Sequence, residues 1–105
     1  MEFNAHHSPG GPLLVGGEID LACVRSYEAA VVDALDAGAT VIDMASVTFI
    51  DSSELRVTMD AALSLDGNGP LRLVNVPAHV VRLMQLIRLD SIANIEISGS
   101  EVVSE

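Results

Sequence analysis

Apolar residues along the chain alternate between strand-like runs and the three-and-four spacing of helices. Glu2 to His6 predicts a short first strand, and Ser8-Pro9-Gly10-Gly11-Pro12 predicts a turn. Leu13-Leu14-Val15 predicts a second strand, closed by Gly16-Gly17 and paired with the first as a hairpin. From Asp20 the period changes: Val24, Tyr27, Val31, Ala34 and Leu35 share one face, while Arg25, Glu28, Asp33 and Asp36 fall elsewhere. This predicts a helix ended by Gly38. Ala39 to Met44 then predicts a mostly apolar strand covered by helices on at least one side.

Val41 to Leu55 is the stretch around which the rest is organised. Its apolar, β-branched start passes through a short loop into Asp51-Ser52-Ser53, and helical spacing begins at once. A buried strand therefore delivers two hydroxyls to a helix start, where backbone N–H groups lack partners and the dipole favours negative charge. The helix is expected to reach about Leu65, with Leu55, Met59, Ala62 and Leu63 inward, and to stop at Asp66-Gly67-Asn68-Gly69-Pro70. Leu71 to Val76 predicts another strand, with Leu71, Leu73 and Asn75 on one face. Pro77 fits the first turn of a third helix whose stripe is Val80, Leu83, Met84 and Ile87. Ile92 to Ile97 alternates as a last strand, followed by a polar tail from Ser98 to Glu105.

Strands joined through helices imply right-handed crossovers and a largely parallel sheet. The 105 residues suffice for one domain and one core. Residues 11–98 are expected to form that core, with 1–10 and 99–105 peripheral. Half the residues are hydrophobic and mean hydropathy is +0.44, but only 3% are aromatic and Trp is absent. The core must rest on aliphatic side chains, and base stacking is poorly provided for.

The net charge of −10, with five arginines as the only strong bases, repels nucleic acid and anionic membranes and favours a basic protein partner. No apolar run approaches the roughly 20 residues of a membrane helix, and the N-terminus lacks a secretion-signal pattern, so a cytoplasmic protein without membrane insertion is expected. Cys23 is alone, which excludes an internal disulfide.

Asp51, Ser52 and Ser53 are all favoured helix caps, and Asp51 with Glu54 has the spacing of a capping box. A capping role does not exclude phosphorylation, because a phosphate would meet the same N–H groups. Catalysis is poorly supported: Gly-x-Ser-x-Gly is absent and no histidine is placed as a base. His6, His7 and His79 lack metal-ligand spacing and read as solvated, and Gly16-Gly17 and Gly67-Asn68-Gly69 precede no Gly-Lys-Ser/Thr. Cys23, at the start of the first helix, has two readings, a thiol of lowered pKa or a small packed side chain.

Three segments resemble those of STAS domains, and more narrowly of bacterial anti-sigma factor antagonists. Gly17-Glu18-Ile19-Asp20-Leu21-Ala22 resembles the family's Gly-Glu-Leu/Ile-Asp segment, and Val47-Thr48-Phe49-Ile50-Asp51-Ser52-Ser53 its Asp-Ser-Ser/Thr-Gly-Leu motif. Leu73-Val74-Asn75-Val76-Pro77, with Arg82 and Leu89-Asp90, resembles the strand and helix that follow. The resemblance implies a single STAS-like α/β domain: a mixed, mostly parallel sheet of four to five strands with helices mainly on one face. It also implies a non-enzymatic regulator without a cofactor. In that family the unphosphorylated antagonist binds an anti-sigma factor that is a serine kinase, and phosphorylation releases it. Carried over, the phosphorylated residue is Ser52, Asp51 orients its hydroxyl, Ser53 is its neighbour and Asp20 stands at the adjoining strand end. A phosphatase is a further candidate partner, and a STAS scaffold subunit of a signalling or transporter assembly is the alternative role.

Glu54 stands where the family usually has Gly, Cys23 where Thr is frequent, and Arg88 where Gly is frequent. The chain ends soon after Ile97, so the family's final helix is expected to be short or missing. Glu54 has two sequence-compatible placements, out into solvent or folded back over the helix start.

Overall fold

Strands with a continuous or alternating apolar side need cover, and here one sheet receives it from three helices. A computed structural model describes residues 2–65, 67–91 and 94–99. Its elements are β1 (Asn4–His7), β2 (Leu13–Ile19), α1 (Val24–Asp36), β3 (Val41–Ile50), α2 (Ser52–Ser64), β4 (Leu71–Val76), α3 (Ala78–Leu86) and β5 (Ile95–Gly99), with 3-10 turns at Leu21–Cys23 and Leu89–Ser91. The strands lie in chain order, β1-β2-β3-β4-β5. β1 is antiparallel to β2, and every later pair is parallel.

Because strand order never reverses, right-handed crossovers put all three helices on one face. Burial agrees: Leu13, Val15, Ile19, Ile42, Met44, Leu71, Leu73 and Ile95 are enclosed, whereas Leu14, Arg72 and Glu96 face out. On the open face Arg72 and Glu96 pair at 3.5 Å. The first ten residues add an edge strand, and Phe3 packs edge-on to Tyr27 with ring centroids 6.1 Å apart.

Several boundaries differ from the sequence reading. β2 runs through Gly16-Gly17 rather than stopping there. A Cβ on Gly16 would meet the Ser46 Cβ at 2.8 Å, so glycine permits close approach of β3, and Gly17 has φ +82 beside a register shift. β3 continues to Ile50 where a loop was expected. Its register against β2 slips between Leu14 and Gly16 and again between Gly17 and Glu18, each slip giving β3 one extra residue. Two bulges therefore broke the alternation that marks a strand. Asn75 is exposed instead of sharing the Leu71 and Leu73 face, because its φ of 55 turns it over and leaves Val76 buried. The last strand runs from Ile95 and takes in Ser98 from the expected polar tail; Ile92, Ala93 and residues 100–105 lie outside the described residues.

The inward face of α2 is also rotated from expectation. Glu54, Leu55, Thr58, Ala61 and Ala62 are buried, Met59 is half-buried and Leu63 is exposed. Two polar residues thus stand in the buried stripe and disguise it. Thr58 is satisfied: its hydroxyl donates to Glu54 O at 2.9 Å and therefore accepts from the Tyr27 hydroxyl at 2.6 Å. α1 buries Tyr27, Val31 and Ala34 against this seam, with Val24 and Leu35 half-buried, and Gly38 follows with φ +100. α3 buries Val80 and Met84, but it stops at Leu86, so Ile87 is exposed rather than part of its stripe.

Tyr27→Phe retains the ring and removes the hydroxyl between α1 and α2, so urea unfolding should show a loss of about 1 kcal/mol. Arg88 follows α3 with φ 62, a left-handed backbone that favours glycine. Arg88→Gly should raise stability by about 0.5–1 kcal/mol in the same measurement, the relief of left-handed strain exceeding the entropy lost by glycine.

Candidate functional site

The site forms where β2 and β3 end side by side. Ile19 pairs with Ile50, and the next residue of β3's chain, Asp51, donates its N–H to Ile19 O at 3.0 Å. Each strand is followed by an aspartate that caps what comes next. Asp20 Oδ1 accepts from the Ala22 N–H at 3.1 Å, starting the turn before α1. Asp51 Oδ1 accepts from the Ser53 N–H at 3.3 Å, with Asp51 in the extended conformation (φ −91, ψ 157) usual for an N-cap. The Ser52 hydroxyl donates to the same Asp51 oxygen at 3.3 Å. Ser52 is exposed, Ser53 half-buried.

Glu54 follows neither simple placement. It is not in solvent: its residue exposure is 0%, and neither carboxyl oxygen has a hydrogen-bond partner. The capping box is half formed. The Asp51 arm exists, but the Asp51 N–H that Glu54 would accept is already given to Ile19. Burial pushes the Glu54 carboxyl above the usual range, and the Asp51 and Asp20 carboxylates push it further in the same direction. The backbone at Glu54 itself and at Asp51 offsets this in part, although neither carboxyl oxygen makes a hydrogen bond. Burial also pushes the Tyr27 hydroxyl up to about 12, with Glu54 adding to the effect.

Around this centre, Cys23 Sγ is 3.4 Å from Asp20 Oδ1. Desolvation pushes the thiol up, the opposite direction to the lowered pKa considered from the sequence. His79 is exposed and its Nε2–H donates to Thr48 O at 3.1 Å. Among the described residues no three His, Cys, Asp or Glu side chains are grouped to hold a metal ion, and no helix is long and apolar enough to cross a membrane.

Sequence reading missed a cleft of about 290 Å³ beside the two serines, lined also by Leu55, Arg56, Met59, Ile87 and Leu89. Arg56 follows Ser52 by one helical turn, a spacing visible in the sequence. Ile87 and Leu89 arrive from beyond α3, and no local pattern foretells that. The sequence-derived residues Asp20, Asp51, Ser52, Ser53 and Glu54 are gathered at this one end of the sheet.

A family model described as "Mlab, STAS domain" matches residues 5–97. The chain belongs to the STAS domain family. No match to a curated protein was found. In this STAS domain the match spans all five described strands to within two residues of each end.

Glu54→Gln isolates the buried carboxyl. The unfolded chain ionises Glu54 near the reference value of about 4.3, while the folded chain does so only at higher pH. Its stabilising contribution is thus complete below the unfolded value and lost as pH rises through the folded one. Urea unfolding across pH should show the stability difference between Glu54→Gln and wild type moving in favour of the variant from about pH 4.3 upward, then levelling above the folded value.

Proposed function

We propose that this STAS domain is an anti-sigma factor antagonist that acts by partner switching, with Ser52 as the phosphorylated residue. The observation that carries the reading is the exposed Ser52 hydroxyl at the first position of α2, bonded to Asp51 Oδ1. The partner is an anti-sigma factor with serine kinase activity, and the antagonist's role is binding rather than catalysis. The kinase transfers the γ-phosphoryl of ATP: an O–P bond forms at Ser52 Oγ, the β–γ bridge breaks, ADP leaves and the hydroxyl proton is given up. The product carries about −1.5 to −2 charges where a neutral hydroxyl had been. A surface that accepted the hydroxyl then rejects the domain, and a phosphatase reverses the step.

Charge supports this reading. Asp20 and Asp51 already make the serine end acidic, within a chain of net charge −10, so a basic or neutral partner surface fits it and is sensitive to added negative charge. Arg56, lining the same cleft, is the nearest arginine along the helix to a phosphate on Ser52.

A second reading is a non-switching STAS scaffold in a signalling or transporter assembly. Glu54 favours it, since a buried carboxyl at the helix start adds a cost to any further negative charge there. Affinity capture from cells separates the readings: an ATPase-fold kinase supports the switch, and transporter subunits without such a kinase support the scaffold. With the captured kinase and ATP, mass spectrometry should find phosphate on Ser52 and none on Ser52→Ala, and only the wild type should be released. Absence of phosphate on Ser52, with both proteins binding and releasing alike, would sink the switch.

A further inference from the structure

Ser52 and Glu54 are the first and third residues of α2, and they diverge. Ser52 stands in solvent, while Glu54 is enclosed in the seam with α1, where Tyr27 and Thr58 join the two helices. Both lie in the first turn and share one set of N–H groups and one dipole. Those groups are largely committed: the Ser53 N–H to the Asp51 side chain, and the Glu54 and Leu55 N–H groups to Asp51 O at 3.1 and 3.2 Å.

Among the described residues, the charged groups that shift Glu54 are acidic and supply no compensating cation. Asp20 approaches from the turn before α1, Cys23 and Tyr27 from the start and first turns of α1, and Asp51 from the cap of α2 itself. Arg56 is exposed and lies on the cleft side with Ser52. A second negative charge at this helix start therefore repels the first, buried on the Glu54 side and screened by solvent on the Ser52 side.

We propose that Ser52 and Glu54 form a proton-linked pair, in which negative charge on Ser52 is accommodated with Glu54 neutral and ionisation of Glu54 opposes it. The inference rests on Ser52 being the phosphorylated residue. Linkage makes the effect reciprocal: charge on Ser52 favours the Glu54 proton, and loss of that proton disfavours charge on Ser52. Phosphorylation is then accompanied by proton uptake at Glu54. The phosphorylated form is favoured at lower pH and loses ground as pH rises through the range in which Glu54 ionises. A glycine at the Glu54 position has no such group, so the linkage is a property of this chain's own substitution.

The test follows the Glu54 side-chain carboxyl by carbon-detected NMR titration in wild type, Ser52→Glu and the neutral control Ser52→Gln. The Glu54 midpoint should be higher in Ser52→Glu than in Ser52→Gln by about half a pH unit. Equal midpoints overturn the proposal. A second measurement serves if Ser52→Glu unfolds: urea stability of Ser52→Asp relative to Ser52→Asn, with Glu54 present and in the Glu54→Gln background. The penalty of the aspartate should grow more steeply with rising pH where Glu54 is present, and the same pH profile in both backgrounds overturns the linkage. Neither readout uses a kinase, so absence of phosphorylation at Ser52 overturns the proposed function without altering these results.

Discussion

The hydrogen bond from the Asp51 N–H to Ile19 O, at 3.0 Å, closes the parallel pairing of β2 and β3, and the candidate site depends on it. It brings two strand ends level, so that the aspartate after each strand caps the following turn or helix at the same edge of the sheet. It also consumes the N–H that would have completed a capping box. The Glu54 carboxyl is left buried and without a hydrogen-bond partner. One backbone bond thus gathers the acidic residues and isolates one of them.

The seam between α1 and α2 shows how differently two polar groups fare in the same place. Thr58 is buried but belongs to a complete chain of donors and acceptors, from the Tyr27 hydroxyl through Thr58 Oγ1 to Glu54 O. Such a chain costs little and orients the helices. The Glu54 carboxyl, one turn earlier, has burial without partners, and its charged form is disfavoured for that reason. The exposed serine and the hidden carboxyl are two faces of one helix start. Any charge placed on the first is felt by the second.

The serine end also has a mixed surface. Arg56, Met59, Ile87 and Leu89 frame a cleft next to Ser52 and Ser53, with Leu86 at 81% exposure just before Ile87. Apolar wall, single cation and two hydroxyls lie against a strongly acidic body.

Element order, the helical periods of α1 and α3, and the helix start at Asp51-Ser52-Ser53 were legible in the sequence because each depends on neighbours within a few residues: spacing, caps and turn glycines. The segments resembling STAS motifs were legible for the same reason, and residues 5–97 match that family. The continuity of β2 and β3 was not legible, since bulges and the close approach of Gly16 to Ser46 exist only between paired strands. Nor was the inward face of α2, where Thr58 counts as a core position only because Tyr27, 31 residues away, supplies its donor. The fate of Glu54 is the clearest division. Local sequence offered solvent or a cap, and tertiary structure produced neither, because a strand 35 residues upstream had taken the N–H and packing had buried the carboxyl.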